Sequence, residues 1–134
     1  MVCVPELTIL IIENDVSTAE LYHRELSRFY HVITCDNEIT AMQSIEARDP
    51  SAIILEPAGL GEQGWDFLKR IKSLEKMKSI PIIVCSTLDE RRKGLQLGAT
   101  TFLLKPILPS TLLQALHQVT ASKAAAAEPT DVEG

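Results

Sequence analysis

Ile53-Ile54-Leu55-Glu56 sets three apolar side chains in a row and closes them with a carboxylate. A half-exposed strand would alternate apolar and polar residues. An unbroken apolar run means burial on both faces, the habit of a parallel sheet covered by helices. The pattern recurs. Ile9-Leu10-Ile11-Ile12 runs into Glu13-Asn14-Asp15, Ile82-Ile83-Val84-Cys85 into Ser86, and Phe102-Leu103-Leu104 into Lys105-Pro106. Four buried strands that each deliver a polar residue at one end bring those residues together, because open α/β sheets hold their sites outside the carboxyl ends of the strands.

Stretches of helical period lie between these runs. Leu7–Ile12 reads as the first strand, followed by a helix over Asp15–Phe29 with Ala19, Tyr22, Leu26 and Phe29 on one face. A short strand at Val32–Thr34, expected at a sheet edge, leads to a helix over Asn37–Arg48. Ile39, Met42 and Ile45 are expected to point inward there, and Asp49-Pro50 ends it. Ala52–Leu55 is the third strand, and a Gly-rich loop leads to a helix from Trp65 to about Met77. Ile80–Cys85 is the fourth strand, with Pro81 tolerated at its start. A helix from about Leu88 to Leu97 ends at Gly98, the residue suited to a left-handed cap. Thr101–Leu104 is the fifth strand, and Pro109 opens a last helix with Leu112, Leu116 and Val119 inward. Leu108 stands at its N-cap position and offers no side-chain acceptor. The reading is an α/β fold of five alternating strand–helix units within residues 1–120. The apolar period stops at Ala121, so residues 121–134, Ala-rich and then acidic, read as a flexible tail.

A chain of 134 residues fits one core. No apolar stretch approaches the ~20 residues of a membrane span, and Met1–Pro5 lacks the features of a secretory signal. Cys3, Cys35 and Cys85 are odd in number, without a CxxC pair, which argues against a disulfide framework or zinc site and for a reducing cytoplasm. A net charge of −5 opposes nucleic-acid binding. The one basic cluster, Arg91-Arg92-Lys93, reads as a solvated helix face or a docking patch. His23, His31 and His117 are scattered over different elements and form no ligand pattern. Gly59, Gly61 and Gly64 match no nucleotide fingerprint, and no nucleophile–base pair is visible, so no enzyme is expected.

From Leu7 to about Val119, the ordered pieces resemble a response-regulator receiver domain. They are Ile9–Asp15, Ile53–Glu56 with Gly64 eight residues on, Pro81–Ser86, Leu97-Gly98-Ala99 and Phe102–Pro106. The resemblance implies a three-layer flavodoxin-like fold with sheet order 2-1-3-4-5. It also implies an acidic pair for Mg²⁺ at Glu13 and Asn14, and a phosphoacceptor at Glu56. Ser86 matches the hydroxyl that binds a phosphoryl oxygen, and Lys105 the lysine, usually followed by a cis proline. Phe102 matches the aromatic whose rotamer follows activation.

This chain departs from that pattern at the site. The family's acceptor is aspartate. Glu56 carries one more methylene, which moves the carboxylate by more than about 1 Å, enough to cost ~10²-fold in a reaction needing in-line geometry. Asn14 puts a neutral amide where the pair needs a carboxylate. With Glu13 and Glu56 as weak candidate ligands, Mg²⁺ binding is expected to be weak or absent. The loop Ala58-Gly59-Leu60-Gly61 stands where the family often has Met-Pro. Gly98 follows Ser86 by only twelve residues, roughly one helical turn short.

Several residues keep two readings. Lys105 pairs with Glu56 permanently, or with Glu13 while Glu56 faces solvent. Ser86 is a relic of phosphate binding or a strand-end hydroxyl bonded to backbone. Asn14 and Asp15 are metal-side residues or a helix N-cap pair. Phe102 rotates or stays fixed, and Trp65 packs or anchors a partner. The leading expectation is a protein-binding receiver in two-component signalling, not phosphorylated and needing no cofactor. Arg91, Arg92, Lys93, Phe102 and Leu108 would face a histidine kinase or effector, and homodimerisation stays open. The alternatives are a phosphorylation-competent receiver with residual Mg²⁺-dependent chemistry, and a small-ligand-binding flavodoxin-like domain.

Overall fold

The computed structural model describes residues 7–58, 60 and 64–127. Five parallel strands, β1 (Thr8–Ile12), β2 (His31–Cys35), β3 (Ala52–Leu55), β4 (Ile82–Ser86) and β5 (Thr101–Leu104), form one sheet in the order β2-β1-β3-β4-β5. The helices between and after them are α1 (Val16–Leu26), α2 (Glu38–Arg48), α3 (Gly64–Ser73), α4 (Arg91–Gln96) and α5 (Pro109–Ala127).

Strand alternation divides the core into two layers. Ile9, Ile11, Ile54 and Ile83 meet Leu26 and Leu116 on the α1–α5 face. Leu10, Ile12, Ile53 and Leu55 meet Ile45 and Phe67 on the α2–α3–α4 face. Every residue of β3 and β4 is buried, so the unbroken apolar runs are the consequence of helices on both sides.

The helix starts follow local chemistry. Asp15 accepts hydrogen bonds from Thr18 N at 2.9 Å and Thr18 Oγ1 at 2.5 Å, capping α1. Asn37 Oδ1 accepts from Thr40 N at 2.9 Å, capping α2. Gly98 adopts φ +114° after α4, where a side chain would be strained. Gly64 is forced by space: an added Cβ would collide with the Pro57 carbonyl oxygen.

Several expectations change. α3 ends at Ser73, short of Met77, and β4 runs from Ile82 to Ser86 instead of Ile80 to Cys85. Phe29 is 51% exposed, because α1 ends at Leu26 and the chain turns before Phe29. Ile39 is 72% exposed; Ala41 and Ile45 fill the inner face of α2 instead. α4 is shorter than expected, starting at Arg91, with Glu90 giving no side-chain cap bond. α5 continues to Ala127, where a tail was expected from Ala121; the low side-chain entropy of alanine favours helix there. Residues 128–134 lie outside the described residues. Among the described residues, no helix is long and apolar enough to cross a membrane.

Candidate functional site

Glu13, Glu56 and Lys105 each directly follow a strand, and the ladder carries one step further at each. Glu13 N donates to Cys35 O at 2.9 Å, Glu56 N to Ile12 O at 3.0 Å and Lys105 N to Ser86 O at 2.7 Å. Their backbones are thus fixed in the sheet frame, and the side chains leave from its carboxyl edge. The Lys105-Pro106 peptide is cis.

The side chains of Glu13, Glu56 and Lys105 meet. Lys105 Nζ donates to Glu13 Oε1 at 2.8 Å and lies 2.5 Å from Glu56 Oε1. Both readings of the lysine therefore hold in part: it takes both acids, and Glu56 does not face solvent. Side-chain exposure is 14% for Lys105, 4% for Glu13 and 7% for Glu56, so water screens little of this cluster. Lys105 Nζ and Glu56 Oε1 meet as an ion pair, and that oxygen has no further hydrogen-bond partner among the described residues. The other oxygen of Glu13, Oε2, accepts from Asp15 N at 3.2 Å.

The electrostatics follow from that packing. Burial raises the Glu56 carboxyl above its ordinary value; Lys105 pulls it down and Glu13 pushes it up, and burial prevails. Burial works to lower the Lys105 ammonium, but the two carboxylates outweigh it and hold it above its usual range. Burial pushes the neighbouring Cys85 thiol up to about 12, so this cysteine is a small apolar filler and not a nucleophile.

Ser86 is buried, and its Oγ accepts from Leu88 N at 3.1 Å. Asn14 is exposed, and Asp15 spends its carboxylate on the α1 cap. Thr18 holds the Asp15 carboxyl below its ordinary value. Phe102 is 6% exposed under α4, with the Arg91 guanidinium 5.7 Å from its ring centroid. Lys93 Nζ sits 5.0 Å from the Trp65 ring centroid. A Cβ on Gly94 would approach Phe102 to 3.1 Å and Trp65 to 3.5 Å, so the glycine admits both rings beneath α4. Sequence reasoning missed this aromatic–cation arrangement; the only hint was a glycine inside a helical period. Arg92 and Leu108 are exposed, Leu108 at 68%.

A divalent cation at the acidic pair would find Glu13 and Glu56 already engaged by Lys105 Nζ, and Asn14 neutral and turned outward. Among the described residues, no group of three or more His, Cys, Asp and Glu side chains could hold a metal. The donor set does not fit Mg²⁺, which needs several hard oxygens in near-octahedral array.

The response regulator receiver domain family model matches residues 9–117. The chain is 30% identical over 109 residues to the probable transcriptional regulatory protein SilR of Salmonella typhimurium, covering 80% of this chain but 48% of that protein. It is 29% identical over 120 residues to the two-component response regulator ORR3 of Oryza sativa, covering 86% of this chain and 92% of that one. Among solved structures, a putative response regulator from Chloroflexus aurantiacus superposes with a TM-score of 0.80 at 26% identity, over 88% of this chain and 99% of the other. The receiver domain of a sensor histidine kinase from Pseudomonas aeruginosa, solved with magnesium coordinated in its active site cleft, superposes at 0.76 and 24% identity, over 88% of this chain and 99% of that one.

Proposed function

Because the chain belongs to the response regulator receiver family, we propose that it serves two-component signalling as a protein-binding receiver whose site is permanently closed by an internal ion cluster, without aspartyl phosphorylation. The observation that carries this reading is the Lys105 ammonium held between Glu13 and Glu56. A receiver switched by phosphorylation needs that ammonium free to meet the incoming phosphoryl charge, and it needs a metal to neutralise the rest. Here the cation is already matched, and the acceptor position offers a longer acid with a raised pKa. One carboxylate carries one negative charge against nearly two for a phosphoryl group, so the cluster imitates the activated state only in part.

The proposed partner surface is α4, β5 and the start of α5. Leu88, Leu95, Leu104 and Leu108 are exposed there by 64, 46, 43 and 68%, beside the cations of Arg91, Arg92 and Lys93. Arg91 and Lys93 are steadied over Phe102 and Trp65, which lowers the entropy lost when a partner fixes them. A histidine kinase or an effector protein is the proposed partner class.

Incubation of the pure chain with Mg²⁺ and acetyl phosphate tests the reading. No acid-stable, hydroxylamine-labile phosphoryl group should appear by mass spectrometry, and beryllofluoride with Mg²⁺ should leave Trp65 fluorescence unchanged. A stoichiometric acyl phosphate at Glu56 would overturn it.

A further inference from the structure

A second recognition surface lies away from the ion cluster. Successive residues of one α2 stripe, Ile39, Met42, Gln43 and Glu46, line a concavity of about 840 Å³ closed by Leu60 and Arg70. Their spacing of three, four and seven marks one helical face, about 10 Å long at 1.5 Å per residue. Ala41 and Ile45 are buried in the core beside this stripe. Met42 and Leu60 are half-buried and pack against that core while lining the groove, and Ile39 stands 72% exposed along it.

The rim is acidic. Asp36, Glu38 and Glu46 stand around the groove, and Arg70, the one cation lining it among the described residues, is ion-paired with Glu38. Asp36 and Glu46 are exposed, and among the described residues neither has a salt-bridge partner. Such a rim repels phosphates of nucleic acid or lipid and attracts ammonium and guanidinium groups.

We propose that the α2–α3 groove docks a cationic amphipathic helix of another protein. Apolar side chains of that helix seat on Ile39, Met42 and Leu60, and its flanking Lys or Arg residues meet Asp36 and Glu46. The groove length matches about two turns of the incoming helix, and the flexible thioether of Met42 adapts to branched or unbranched side chains. α2 packs on β1 and β2 while α4 packs on β5, so the groove and the α4 surface occupy opposite ends of one helical layer. The domain can thus hold two proteins at once.

The test uses the full chain, isotopically labelled for amide NMR, with three synthetic helix-forming peptides. The first carries Leu on one face and Lys on the other, the second replaces Lys by Glu, and the third replaces Leu by Ser. The Leu/Lys peptide is expected to shift amides over 36–46 and at Leu60 and Arg70, and to weaken with added salt. Ile39→Ser and Glu46→Lys, both at exposed positions, should each weaken it at least tenfold while the spectrum of the free domain is otherwise retained. Equal binding of the Leu/Glu or Ser/Lys peptide, shifts confined to Arg91–Leu108, unchanged affinity in both variants, or no binding would each overturn the proposal. A second copy of this chain is the competing occupant, since Leu88, Arg91, Arg92 and Leu95 have similar chemistry. Concentration-dependent shifts without peptide, mapping to both the groove and Arg91–Arg92, would show that occupant and also overturn the proposal.

Discussion

Removing the Lys105 ammonium should be far more damaging than removing the Glu56 charge, although the two groups touch. At an effective dielectric of about 20, contacts of 2.5 and 2.8 Å are each worth roughly 6 kcal/mol gross. Dehydrating the three ions costs several kcal/mol apiece, so the cluster adds little net stability. Its parts are not equivalent. Lys105→Met leaves two buried carboxylates with no cation and is expected to cost about 3–5 kcal/mol at neutral pH. Glu56→Gln leaves the Lys105–Glu13 hydrogen bond and removes an acid whose ionisation the fold resists, so its stability should stay within about 1 kcal/mol of the parent. The folded state holds the Glu56 proton more tightly than the unfolded chain does. Stability tied to that proton is therefore fully present below roughly pH 4.3 and is lost as pH rises through the raised value. Glu56→Gln lacks this decline, so its stability relative to the parent should increase with pH just above that point. The Lys105→Met penalty should shrink in acid, where the stranded carboxyls protonate. Urea denaturation of the full chain across a pH series measures both trends. A Lys105→Met cost below about 1 kcal/mol, or a Glu56→Gln cost equal to it, would refute the reasoning.

Three further outcomes follow from packing. Gly64→Ala would drive a Cβ into the Pro57 carbonyl, and because the neighbour is backbone the expected loss is about 3 kcal/mol or more by thermal denaturation. Asn37→Ala removes the acceptor for Thr40 N at 2.9 Å and should lower stability by about 1 kcal/mol in the same assay, while Asn37→Gly should cost only a few tenths. Cys85, 1% exposed with its thiol pushed up to about 12, should resist iodoacetamide at about pH 8 in the native state and react once urea unfolds the chain; peptide mass spectrometry reads the difference.

The sheet is legible in the sequence because both its faces are covered: an all-apolar run ending in a polar residue fits a buried parallel strand and little else, and Thr101–Leu104 can be placed to the residue. Helix phase is less legible. Ile39 and Ile45 are six residues apart, which turns them about 120° from each other; both cannot face one core, and the Asn37 cap and the burial of Ala41 decide in favour of Ile45. Phe29 keeps the period of α1, but the helix has already ended at Leu26. At the site, sequence supplies the three charged groups and not their partition, because two acids compete for one ammonium and only the strand register brings both within its reach. The composition break at Ala121 resembles the end of structure, whereas alanines continue a helix readily.

The strand order also bears on how the chain can assemble. β1 is the first strand in chain order yet lies inside the sheet, flanked by β2 and β3. Once Leu55 has left the ribosome, three strands with a complete middle member are available to pair. β4 and β5 then add on one side only, so a growing chain exposes the fully apolar edge of β3 until Ile82–Ser86 arrives. That edge is the point at which a nascent or partly unfolded molecule is most open to pairing with a neighbour.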